Sequence, residues 1–217
     1  MAKKHKNSIT TGIGDEGQTR TLGGEMISKA DPIIEACGAL DRLRAQTALL
    51  RLQLEEAPSA EDILAMGEML GLDPDEDLPE ESESDPGEYV PVLDWLLSLY
   101  FMMGAAISDP TRKSPKAHHG GVTADHIQDI EREQGELEEQ CDIPKGFIIG
   151  ASNQLAAHAD IVATLARDLE RSLARLKETN PDFTDQNVLI FVNRLSDYFY
   201  MLARVLEEGN HQYVAYE

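Results

Sequence analysis

LAAHADIVATLARDLERSLARL, residues Leu155 to Leu176, places apolar side chains at Leu155, Ala159, Val162, Ala166, Leu169, Leu173 and Leu176, in steps of four and three. That spacing repeats one face of an α-helix over about six turns. Asn180-Pro181 stops it, because proline lacks the amide donor and pushes the preceding residue out of the helical region. A helix this long, apolar along one stripe only, must bury that stripe against other helices.

Working outward, the partners are evident. Thr184 starts a last helix whose stripe is Val188, Phe191, Leu195, Phe199, Leu202 and Leu206. Near the start of the chain, Ile33, Ile34, Cys37, Leu40, Leu43, Thr47, Leu50 and Leu54 predict a helix from about Pro32 to Glu56, with proline suited to its first turn. Ser59-Ala60-Glu61-Asp62 opens a shorter helix through Met69, ended by Gly71. Val90 to Ile107 is apolar nearly all round, as in a helix at the centre of a bundle, and Thr123 caps a polar helix through roughly Gln140. No strand-period segment of useful length occurs, so the expected class is all-α, an up-and-down bundle of about five main helices. The expected organisation is a glycine-rich segment over 1–30, a bundle over 31–208 and a C-terminal tail over 209–217.

Asp73 to Glu88 (DPDEDLPEESESDPGE) carries nine acids, three prolines and no Lys or Arg. It reads as a solvated insertion unable to bury enough apolar surface to offset its ordering entropy; an acidic partner-binding segment is the other reading. The whole chain has a formal charge of −21, which excludes nucleic-acid binding by bulk electrostatics. An anionic ligand must be met by local cations. Cys37 and Cys141 form no metal or disulfide pattern, no apolar run follows the N-terminal lysines, and no stretch approaches the roughly 20 apolar residues of a membrane span. A reducing, cytoplasmic location is expected.

Thr10 to Lys29 (TTGIGDEGQTRTLGGEMISK) is rich in glycine and threonine and feeds the first helix through Asp31-Pro32. Glycines allow close backbone approach to a ligand, and threonine hydroxyls bond phosphate oxygens, so the stretch reads as a phosphate-cradling loop. It is not a Walker loop, for no Gly-Lys-Ser/Thr ending is present. On the last helix, Asn193, Asp197, Tyr200 and Arg204 step by four, three and four into a polar stripe, open to an Arg194–Asp197 or Asp197–Arg204 ion pair. The long helix offers Arg167, Glu170 and Arg171.

These stretches resemble the PduO-type ATP:cob(I)alamin adenosyltransferases. Their N-terminal signature, Thr-Arg-Thr-Gly-Asp-Lys-Gly followed by Gly-Gly-Glu, Ser-Lys and a Val-Asp-Glu-Leu-Asn helix, is matched in register by Thr11, Gly14, Asp15, Gly17, Gly23, Gly24, Glu25, Ser28, Lys29 and Asp41. Asn193-Arg194-Leu195-Ser196-Asp197 matches a second signature residue for residue, and Val162 to Arg171 aligns without gaps with a third, keeping Arg167, Glu170 and Arg171. The resemblance implies a trimeric helical bundle with active sites between subunits, and transfer of the 5′-deoxyadenosyl group of ATP to cobalt(I) of a corrinoid. It implies ATP, Mg²⁺ and cobalamin as ligands and an adenosylcobalamin-dependent acceptor enzyme as a further partner. Arg167, Asp41 and Asn193 then fall in the catalytic set; Thr11, Gly14, Asp15, Gly17, Thr19, Lys29, Glu170 and Arg171 fall around the nucleotide, with Arg194 and Asp197 in a supporting network. Phe147, sixteen residues before Ala163, stands where the family sets a phenylalanine against the lower corrin face.

Three family cations are missing: Glu16, Ala163 and Asp168 stand in their places. Each charge-assisted hydrogen bond to triphosphate is worth roughly 1.5 to 3 kcal/mol, so replacements are required. Arg20, Lys29, Arg44 and Arg167 are the candidates, and Asp41, deprived of its family arginine, is expected to pair with Arg44 or Arg42. A non-catalytic nucleotide- or corrinoid-binding relative is the alternative reading of the same losses.

Overall fold

A computed structural model describes residues 12, 14–72, 85–114, 121–140 and 144–215. Thr11, most of the acidic insertion, His118, His119 and Cys141 lie outside the described residues. Six α-helices make up the body: α1 (Pro32–Glu56), α2 (Ala60–Leu70), α3 (Val90–Ser108), α4 (Ala124–Gln140), α5 (Gln154–Thr179) and α6 (Gln186–Val205). All but α2 form the bundle, whose spatial order is α3, α1, α5, α6, α4. Successive bundle helices alternate in direction, so Arg51 near the end of α1 meets Asp94 near the start of α3 (2.9 Å), and Arg175 near the end of α5 meets Glu35 near the start of α1 (3.1 Å). Spatial neighbours α4 and α6 run parallel, with Asn187 donating to the Val122 carbonyl at their common starting end (2.9 Å).

Capping explains the helix starts. Asp31 Oδ1 accepts from the Ile33 amide (2.9 Å), Asn153 from Ala156 (2.9 Å) and Asp185 from Val188 (3.2 Å). The α6 cap is thus Asp185, one residue beyond the Thr184 that the sequence suggests. Ser59 and Asp62 form a reciprocal capping box on α2, and Gly71 closes it in the left-handed region (φ 72°).

At the centre lies α5, flanked by α1 and α6. Ala156, Ala159, Ala163 and Ala166 are all buried on it, and such small side chains admit close approach by the flanking helices. Ala163, where the family carries a cation, is therefore a core residue here. Trp95 on α3 packs edge-on against Phe191 of α6 (6.0 Å), and the Tyr89 hydroxyl donates to Gln140 (2.6 Å), closing α3 over α4 and α6.

Two sequence expectations need correction. Pro86–Ser108 is, by length and composition, apolar enough to cross a membrane (23 residues, mean hydropathy 1.7). It is not the central helix that its apolar composition suggests, since it stands at one end of the order beside α1; one face buries Leu93, Leu96, Leu99, Tyr100, Met103 and Ile107, while Phe101 is exposed and Asp94 turns outward to Arg51. The described residues also include four short strands, β1 (Gln18–Arg20), β2 (Met26–Ser28), β3 (Ile148–Ile149) and β4 (Gln212–Tyr213), pairing β1 with β2 and β3 with β4, both antiparallel. Two or three residues are too few for an alternating pattern to register in sequence.

Across the α1–α5 seam, buried His158 reaches Gln53 (2.5 Å) through Nδ1 and Gln46 (2.9 Å) through Nε2. Burial lowers its pKa from the ordinary value of 6.5, so the ring is neutral and has one donor and one acceptor. A folded-state pKa below the unfolded one gives stability that is complete above about pH 6.5 and is lost as pH falls toward the folded value. Between pH 7.5 and 5 the melting temperature of wild-type protein should fall relative to that of a His158→Gln variant. Parallel curves would exclude a role for this ring.

Candidate functional site

The glycine-rich stretch forms a turn and a hairpin docked at the end of the bundle. Gly17 has φ 77° and Gly24 φ 91°, values that a side chain resists. The Lys29 amide donates to the Gly17 carbonyl (2.9 Å), and the Lys29 side chain lies so close over Gly14 that a Cβ there would stand 2.8 Å from Nζ. A cation is thereby held against the loop that carries Asp15 and Glu16. At the hairpin turn the Thr21 hydroxyl accepts from the Glu25 amide (3.1 Å). Gly23 lies against Asp109 at the end of α3: a Cβ would stand 2.7 Å from the Asp109 carboxylate. Asp109 is buried and accepts from the amides of Lys113 (3.0 Å) and Ser114 (2.7 Å), while Lys113 binds Glu25 (2.6 Å). Gly-Gly-Glu is thus a docking device for the hairpin.

About ten residues along α1, roughly 15 Å at 1.5 Å per residue, a second polar region begins. Asp41 pairs with Arg44 (3.0 Å), whose guanidinium also lies 5.0 Å over the exposed Phe101 ring. Arg42 reaches Asp168 of α5 (3.5 Å), and Asp168 also binds Arg171 (2.5 Å). The acid that replaces a family arginine therefore engages two neighbouring cations. Arg167, one turn before Arg171, is exposed and has no ion-pair partner among the described residues.

On the other flank of α5, Glu170 accepts from Asn193 of α6 (3.2 Å). Asn193 Oδ1 accepts from Arg194 (2.8 Å), and Arg194 continues to Glu131 of α4 (2.8 Å). Gln134 donates to the Arg194 carbonyl (2.8 Å) and orients the pair. Both Asn193 and Arg194 are thereby pre-positioned. Asp197 is not in this network: it is exposed, and neither anticipated Asp197 ion pair forms. Arg204, the last member of the expected stripe, is buried and turned to Asp160 (2.7 Å).

Phe147 is 75% exposed, just before β3, and its carbonyl accepts from the Val214 amide (2.8 Å). Thr19 and Arg20 lie on β1; Arg20 is exposed and Thr19 half-buried. Lys29 precedes the start of α1, whereas Arg44 stands twelve residues into that helix, roughly 18 Å along its axis at about 1.5 Å per residue. Within one copy the four cations form two groups, one on the hairpin and one at the α1–α5 level.

The sequence profile of cobalamin adenosyltransferases matches residues 9–206, nearly the whole of this architecture. The chain belongs to that family. Bovine corrinoid adenosyltransferase MMAB is 27% identical over 206 residues, covering 93% of this chain and 73% of the relative. The corrinoid adenosyltransferase PduO of Salmonella typhimurium is also 27% identical, covering 94% of this chain and 51% of its own length, so the chain spans about half of that relative. A variant of the PduO-type ATP:corrinoid adenosyltransferase of Lactobacillus reuteri, solved with cobalamin and ATP, superposes with a TM-score of 0.74 at 23% identity over 97% of each chain. At that identity the likeness establishes the fold. Within this adenosyltransferase family architecture, Lys29, Asp41 and Arg167 are exposed, while Gly14, Glu170 and Asn193 are half-buried.

Sequence reasoning missed Asp109, Lys113, Glu131 and Gln134. Asp109 had a signal: an acid at a helix C-terminus opposes the helix dipole and is retained only with other partners. Glu131 and Gln134 have none, being ordinary polar residues on a polar helix. Near Asp41, burial and then the Asp41 charge raise the Cys37 thiol to about 11, which makes it a poor nucleophile at neutral pH.

Replacing Gly23 with alanine should misdock the hairpin, since Asp109 is locked by two amides. Overpacking of this kind costs about 1 to 3 kcal/mol, so amide hydrogen exchange over residues 18–28 should quicken about tenfold while far-UV circular dichroism stays unchanged. Wild-type exchange in the Gly23→Ala protein would remove the docking role.

Proposed function

We propose that this chain transfers the 5′-deoxyadenosyl group of ATP to cobalt(I) of a corrinoid, releasing triphosphate, as a homotrimer with sites between subunits. The observation that carries the reading is the polar ridge Arg167–Glu170–Arg171 of α5, with Asn193 fixed beside it, in a chain whose family match spans both. The relatives named above as corrinoid adenosyltransferases, and the neighbouring structure holding cobalamin and ATP, support catalysis over a purely binding role. Separation of the hairpin from the ridge within one copy supports the trimer: the hairpin of one subunit can then close over the ridge of the next.

Reduced cobalt is the nucleophile. It attacks C5′, the C5′–O bond breaks, and the electron pair leaves with triphosphate, so the protein supplies no nucleophile of its own. Its tasks are to orient C5′ and to receive the charge of the leaving group. Arg167 meets the phosphates directly, with Lys29 and Arg20 arriving on the hairpin. Asn193, held by Glu170 and Arg194, orients the nucleoside. Mg²⁺ brought with ATP would add positive charge at the leaving triphosphate; among the described residues no group of three or more His, Cys, Asp or Glu side chains is placed to hold it. Phe147 presents an apolar face that keeps a ligand off the lower side of cobalt. An adenosylcobalamin-dependent enzyme would receive the product, and the cytoplasm is the proposed location.

Purified protein mixed with ATP, Mg²⁺ and chemically reduced cobalamin should form the cobalt–carbon bond, followed optically. Arg167→Ala should lower kcat/KM for ATP about 10- to 100-fold, as expected for one lost charge-assisted bond. Binding of ATP or corrinoid without turnover would overturn the catalytic reading, and binding of neither would overturn the ligand class as well.

A further inference from the structure

Beyond the end of the family match at residue 206, the chain doubles back onto the segment that carries Phe147. Tyr213 pairs with Ile148 and Gln212 with Ile149, Val214 donates to the Phe147 carbonyl (2.8 Å), and the Tyr213 ring lies over Gly146, where a Cβ would stand 3.3 Å from it. A ribbon of two strands this short is not stable alone in water. It also exposes Phe147, Ile149 and Tyr213, an apolar group that nothing in the bundle requires. Something must hold it.

The anchor is a buried polar cluster where α6 ends. Glu207, fully buried, accepts from the Ser152 amide (3.1 Å), and Asn153 donates to the Leu206 carbonyl (2.6 Å). Arg204, itself buried, binds Asp160 of α5 (2.7 Å) and brings Nε to 2.9 Å from Glu207, close enough for charge pairing but misaligned for a hydrogen bond. Both chain ends of the ribbon are thereby tied to the α5–α6 seam: Ser152 and Asn153 follow β3, and Leu206 and Glu207 precede β4. A buried carboxylate is costly unless paired, so this cluster is a specific device and not a tolerated accident.

We propose that residues Glu207 to Val214 form a clasp that sets the position of Phe147, with Glu207 as its positioning residue, so that corrinoid binding depends on a segment beyond the residues matched by the family profile. The corrinoid part of this inference rests on the adenosyltransferase reading; the mechanical part does not. Phe147, Ile149 and Tyr213 suit a flat apolar ligand face, and a clasp that fixes them before binding spares the complex the entropy of ordering them.

The test uses three proteins: wild type, a chain ending at Asn210, and Glu207→Ala, with Glu207→Gln as the conservative variant that keeps an acceptor for the Ser152 amide. Amide hydrogen exchange across residues 146–152 should quicken about tenfold or more in the shortened chain and in Glu207→Ala, while α1, α5 and α6 keep their protection. Affinity for cob(II)alamin in the presence of ATP should weaken about tenfold, ATP affinity should stay unchanged, and Glu207→Gln should recover much of the loss. Unchanged exchange in the shortened chain, which leaves the buried cluster intact, would overturn the clasp. So would a parallel loss of ATP affinity and bundle protection, which marks a merely structural residue. Were wild-type protein to take up no corrinoid, the reaction reading would fail, and the exchange pattern would still decide the clasp.

Discussion

Burial of α5 on both flanks is the constraint on which the rest of this protein depends. With α1 on one side and α6 on the other, Ala156, Ala159, Ala163, Ala166, Leu169, Leu173 and Leu176 are committed to the core, and the opposite face remains in water. That face must be polar, and on it stand Arg167, Asp168, Glu170 and Arg171. The two acids among them are aimed by the flanks they border, Asp168 toward Arg42 of α1 and Glu170 toward Asn193 of α6. Even the remote clasp at the chain's end is secured to α5 through Asp160.

The same constraint explains how the chain departs from its family. Ala163 lies inside the α5 seam, where an arginine would need a buried partner, and Asp41 has turned to Arg44 instead. Asp168 is shared between Arg42 and Arg171 and offsets one of their two positive charges, so the ridge keeps its shape but loses part of its positive field. In a protein of formal charge −21, that places unusual weight on Arg167 and on the cations carried by the hairpin.

Helix positions were legible in the sequence because long apolar stripes carry period and length together, as in Leu155 to Leu176 and Val188 to Leu206. The Asn193-Arg194 motif, which lies beside the apolar stripe, was legible only through its resemblance to a family signature. Contacts that join distant parts of the chain were not. Nothing in Gly23 names Asp109, nothing in Asn193 names Glu131, and the pairing of Tyr213 with Ile148 spans strands too short to leave a pattern. Arg204 misled in the opposite sense: its spacing put it on a polar stripe, whereas the ring of Tyr200 (5.0 Å) and the acids at the α5–α6 seam draw it inside.

The central claim is that triphosphate is received on the α5 ridge and that Asp168 weakens this by occupying two arginines. The most direct measurement is ATP affinity in Asp168→Ala, alone and combined with Arg167→Ala. Freeing Arg42 and Arg171 should tighten binding about three- to tenfold, as expected for a partly exposed charge-assisted contact, and adding Arg167→Ala should reverse the gain. Equal affinity in wild type, Asp168→Ala and the double variant would contradict the account, because the ridge would then lie outside the field of the phosphates.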